Sequence, residues 1–137
     1  LLETDGFLVQ RERGIVLRGP HPRELIDPVS PEQLRAAMRS SRDWFAHLLA
    51  HSVEIASRGY QSYVVLTLCR VRYTLMHGTV VSKPAAAQWA QATLGEPWAG
   101  LLARAWISRS APGGPPDPAE LDLMLALIQL TLSAPEP

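Results

Sequence analysis

The chain has 137 residues, 47% of them hydrophobic and 19% charged, with thirteen basic residues balanced by thirteen acidic ones. That composition describes one compact globular domain with some additions, and the balanced charge argues against nucleic acid or an anionic membrane surface as a partner. No apolar run reaches the roughly 18 residues a membrane span needs, and the single cysteine, Cys69, cannot form an internal disulfide, which fits a reducing, cytoplasmic setting.

The N-terminal stretch "FLVQRERGIVLRGP" predicts a short amphipathic helix, a stop at Gly14 and a strand over Ile15 to Arg18. No partner strand follows, and a lone strand cannot satisfy its own backbone groups. Residues 1–19 are therefore expected to be the last elements of a domain lying upstream. Residues 20–29, "PHPRELIDPV", read as a proline-rich connector with one possible helical turn at Pro22 to Ile26.

Residues 30–137 are expected to form an all-α domain, a five-helix bundle. Ser30 as N-cap, Pro31 in the first turn and Gln33 as the third helical residue open a helix expected to run to about Ala56, with Leu34, Met38, Trp44, Phe45, Leu48, Leu49, Val53 and Ile55 on its apolar side. Gly59 is expected to break it. A second helix runs from about Gln61 to His77 and closes at Gly78, where left-handed geometry is needed. A third covers Pro84 to Gly95 and a fourth Trp98 to Arg109. After a loop rich in proline and glycine, Asp117, Pro118 and Glu120 repeat the cap, proline and acid pattern that starts the last helix.

Two cations stand out against this apolar background. On the second helix, Tyr63, Thr67, Arg70, Thr74 and His77 recur at spacings of four and three residues and share one face. The stripe suits a ligand cleft or an interface with another domain; alternatively Arg70 pairs with a carboxylate such as Glu54 and only orients the bundle. Lys83 is the sole lysine and stands at the cap boundary before Pro84. A cation there opposes the helix dipole, unless it joins the first-turn amides in holding an anion or is simply solvated. His21, His47 and His77 lack metal-ligand spacing and read as surface or cap residues.

The stretch "VVLTLCRVRYT", then glycine, then "VSKPAAAQWA", together with the linker "RGIVLRGPHPRELIDPVSPEQL", resembles the C-terminal helical domain of the aminoglycoside adenylyltransferases that modify streptomycin and spectinomycin. The resemblance covers about residues 7 to 109. It implies an upstream nucleotidyltransferase domain as partner, ATP and magnesium as cofactors of the full-length protein, and a small-molecule acceptor held between the two domains. It also implies that Lys83 and Arg70 contact the ATP phosphates, and that His51, Ala56, Tyr60 and Tyr63 occupy acceptor-facing positions with Glu54 as the nearby acid. Where the family has a tryptophan and acidic residues, this chain has His51, Ala56 and Tyr60. No magnesium-binding pair of aspartates in a glycine-turn context is present, so the chain is expected to bind neither cofactor tightly and to be inert alone. A freestanding helical binding module derived from the same family is the alternative reading.

Overall fold

The computed structural model describes residues 3–51 and 57–134. These residues fold into helices throughout: α1 (Glu3–Arg13), α2 (Pro22–Leu25), α3 (Pro31–Ser40), α4 (Arg42–Ala50), α5 (Arg58–His77), α6 (Lys83–Leu94), α7 (Trp98–Ser108) and α8 (Pro118–Ser133). None of the helices in the described residues is long and apolar enough to cross a membrane.

Helix α5 is the axis, because it buries side chains on nearly every side, including polar ones such as Thr67 and Thr74. Val64, Val65, Leu66, Leu68, Cys69 and Val71 are all buried, and the helix touches α3, α6, α7 and α8. Each fully buried aliphatic side chain of this size stabilises the fold by about 1.5–3 kcal/mol before conformational entropy is counted. Ala86, Ala87 and Ala90 of α6 let that helix approach closely, while Leu101 and Leu102 of α7 and Met124, Leu127 and Ile128 of α8 complete the core.

Local capping accounts for most helix starts. The Ser30 hydroxyl accepts from Gln33 N while the Gln33 side chain accepts from Ser30 N, the reciprocal box expected. His21 caps α2 in the same way with Glu24. Asp117 accepts from Ala119 N, but Glu120 does not complete a box; it turns instead to Arg104 of α7 at 2.8 Å. Gly78 ends α5 with φ 64°, and a Cβ there would stand 2.7 Å from Pro31 Cβ, so glycine serves both the left-handed turn and the contact with α3.

Several expectations need correction. The helix opening at Ser30 does not run on to Ala56: it breaks at Ser41, which is buried and donates its hydroxyl to the Met38 carbonyl. The break lets α3 pack on α1 and α5 while α4 packs on α8, two directions that one straight rod could not serve. The bundle beyond Ser30 thus contains six helices among the described residues. Gly59 does not interrupt a helix; it lies in the first turn of α5, donates to the Pro112 carbonyl at 3.2 Å, and has no room for a Cβ, which would meet Pro112 Cβ at 2.6 Å. Lys83 is the first residue of α6 and Ser82 is the cap.

Residues 14–20 form no strand, and the described residues contain none. Ile15 and Leu17 are 88% and 95% exposed, as expected of an extended segment with no neighbour to accept its backbone bonds. Helix α1 nevertheless packs on α2 and α3, and Arg11 Nε donates to the Ile26 carbonyl at 3.0 Å.

Candidate functional site

Helix α1, the middle of α5 and the loop leading into α6 enclose a cavity of about 510 Å³, bordered by Leu8, Glu12, Arg13, Arg70, Val81 and Lys83. The two cations singled out from sequence therefore line one space, reached from different elements.

Arg70 projects from α5, and its Nη2 donates to Asp5 Oδ2 of α1 at 2.7 Å. Asp5 is 5% exposed, so this is a nearly dry ion pair. The carboxylate that meets Arg70 is thus Asp5; Glu54, offered from sequence as one possible partner, lies outside the described residues, as does Ala56. One bond occupies only one of the five N–H donors of a guanidinium, and Arg70 still borders the cavity.

Lys83 is half-buried at the start of α6, with its ammonium 5.1 Å from the centre of the Tyr63 ring. A cation in the first helical turn costs about 0.3–1 kcal/mol against the macrodipole, an effect the Tyr63 π face offsets in part. The first-turn amides offer less than expected. Pro84 has no N–H and Ala85 N donates to Ser82 Oγ, which leaves the Lys83 amide. Anion attraction at this corner therefore comes mainly from side-chain charge.

Among the described residues Glu12 is the one carboxylate bordering the cavity, and it is already engaged. Arg23 meets one of its oxygens at 2.6 Å and Arg11 the other. These hydrogen bonds, Arg23 first, hold its carboxyl below the usual carboxylate range, so it stays ionised and neutralised by its partners. The cavity wall and its direct partners together comprise five cations and two carboxylates, which leaves a positive surplus in an otherwise balanced chain.

The residues expected to face an acceptor are only partly gathered. Tyr60 and Tyr63 lie one helical turn apart on α5, ring centres 6.0 Å apart, each 38% exposed. Trp44 of α4 meets Tyr63 edge-on at 6.4 Å, a contact the sequence reading missed because Trp44 fits the apolar periodicity of a core residue. His51, the C-cap of α4, stacks on His47 at 4.1 Å and makes no ring contact with Tyr60 or Tyr63. Within the polar stripe, Thr67 and Thr74 are buried, and Thr67 Oγ1 donates a hydrogen bond to the Tyr63 carbonyl at 2.7 Å. His77 joins Tyr73 and Trp89 in an aromatic cluster.

Arg72 does not belong to this site. Its Nη1 donates to Thr131 Oγ1 at 3.2 Å and ties α5 to α8, while burial lowers its pKa. Burial also pushes the neighbouring Cys69 thiol up to about 12. Among the described residues no group of three His, Cys, Asp or Glu side chains could hold a metal ion.

The family model of the aminoglycoside adenylyltransferase C-terminal domain matches residues 24–112, from the end of α2 through α7. An aminoglycoside (3'') (9) adenylyltransferase of Rhizobium radiobacter is 33% identical over 87 residues, covering 58% of this chain and 28% of that protein. The chain thus matches less than a third of that relative's length. No solved structure matches the chain significantly.

Proposed function

This chain belongs to the family of aminoglycoside adenylyltransferase C-terminal domains, and from that premise we propose that it positions ATP and an acceptor for an upstream nucleotidyltransferase domain, which transfers AMP to a hydroxyl of the acceptor. The observation that carries this reading is the cationic cavity, which Arg70 and Lys83 border from two different elements. A polyphosphate carries several negative charges, and a concave site with surplus positive charge is its natural complement.

Lys83 is assigned to the phosphates directly, since its one partner among the described residues is the Tyr63 ring, which an incoming phosphate need not displace. Arg70 takes a double part: its bond to Asp5 fixes the guanidinium, and its remaining donors serve the anion. The donor set is cationic and suits phosphate oxygens. Magnesium needs carboxylate or other oxygen ligands, which the reading places in the upstream domain, and when bound it would neutralise charge on the transferring phosphates.

Tyr60, Tyr63 and the adjacent Trp44 are assigned to the acceptor side, as a neutral aromatic wall for a hydroxylated ring. His51, Glu54 and Ala56 are kept as acceptor-side positions on the strength of the resemblance. Because Tyr63 faces both Lys83 and this wall, it joins the nucleotide and acceptor sides. The test is adenylyl transfer from ATP by the full-length protein: Lys83→Ala should abolish most of it, and unchanged turnover would remove Lys83 from the site.

A further inference from the structure

The geometry points to Arg13 as a further phosphate-binding residue of the cavity, an assignment that rests on the phosphate reading of Lys83 and Arg70. Three arginines cluster around the end of α1, and two of them are spent. Arg11 donates through Nε to the Ile26 carbonyl and pairs with Glu12. Arg23 takes the other Glu12 oxygen. Arg13, the last residue of α1, borders the cavity and is exposed, and no carboxylate among the described residues pairs with it.

Arg13, Arg70 and Lys83 thus border one concave space, brought there by α1, α5 and α6. Like charges gathered around one cavity repel; Asp5 offsets Arg70, but Glu12 is committed to Arg11 and Arg23, so no carboxylate among the described residues offsets Arg13 or Lys83. An anion of several charges would neutralise Arg13 and Lys83 together and meet the remaining donors of Arg70. A planar guanidinium on the rim can also meet two phosphate oxygens together, which the Lys83 ammonium cannot. Arg13 therefore favours a polyphosphate over a single phosphate or a carboxylate.

The probe is inorganic pyrophosphate, titrated by calorimetry into the 137-residue chain and its variants at low salt, with inorganic phosphate for comparison. Arg13→Gln should weaken pyrophosphate by about tenfold, the loss of one charge-assisted contact, and should change phosphate binding much less. Arg13→Lys should recover part of the loss, and the helical content of each variant should match the parent, which separates binding from folding. If Arg13→Gln leaves pyrophosphate affinity unchanged while Lys83→Gln weakens it, Arg13 is excluded and the phosphate reading stands. If the parent chain shows no pyrophosphate binding even at millimolar concentrations, where a weak site fills, or neither variant alters it, both fall.

Discussion

Asp5 and Arg70 are separated by 65 positions, yet Arg70 Nη2 donates to Asp5 Oδ2 at 2.7 Å, and this ion pair links α1 to the central helix. Asp5 is nearly dry and Arg70 about one quarter exposed, so the pair is screened far less than a surface salt bridge. Asp5→Asn keeps the shape but removes the charge that holds the guanidinium. The expected loss is about 1–3 kcal/mol, read as a lower urea midpoint with faster amide exchange over Glu3–Arg13. An unaltered midpoint and exchange pattern would mean that α1 is held by its contacts with α2 and α3 alone.

Gly78 supplies a second stability prediction. Its φ of 64° and the 2.7 Å approach of Pro31 make alanine costly on two counts. Gly78→Ala should destabilise the fold by about 1–3 kcal/mol, measured by thermal denaturation. A melting temperature equal to the parent's would show that the turn and the α3 contact both yield without cost.

Cys69 lies in the core beside Arg72, and burial holds its thiol pKa at about 12. The thiolate forms more readily in the unfolded chain, where the pKa is about 8.5. The stability from this burial is thus fully present below that value and is lost as the pH rises towards the folded one. Iodoacetamide at pH 8 should leave the native protein unmodified and label it fully in urea. Stoichiometric labelling without denaturant would place Cys69 at the surface.

The proposed acceptor side of the site carries a prediction of selectivity. Tyr60, Tyr63 and Trp44 carry no negative charge and can meet a single cation through their faces for about 0.5–2 kcal/mol each. They cannot replace the hydration of a pair of guanidinium groups, which needs carboxylates. The full-length protein should therefore adenylylate streptomycin less efficiently than spectinomycin or a less cationic polyol, by kcat/KM. Efficient turnover of streptomycin would assign the missing acid to Glu54 or to the upstream domain.

The sequence made the parts governed by local chemistry legible. Ser30 with Gln33, Gly78 and Asp117 mark helix ends because capping acts within a few residues, and the structure has all three where expected. The break at Ser41 carries no glycine or proline signal; it follows from α3 and α4 packing on different partners. Glu120 looked like a capping acid but meets Arg104 across a helix pair, and Gly59 looked like a break but makes room for Pro112. For the candidate site, helical spacing marked Arg70 and the cap boundary marked Lys83. Neither signal could reveal Asp5 or Arg13, which approach only through the folding of α1 against distant elements.

The most direct measurement is ATP binding to the full-length protein carrying the proposed upstream domain, by calorimetry with and without Lys83→Ala. The account predicts that the parent binds ATP and that the substitution weakens it by about 1.5–3 kcal/mol, the worth of a charged hydrogen bond, with the helical fold intact. Equal ATP affinity in the two proteins would show that Lys83 rests on Tyr63 as a structural cation, and would contradict the phosphate-positioning role of the cavity.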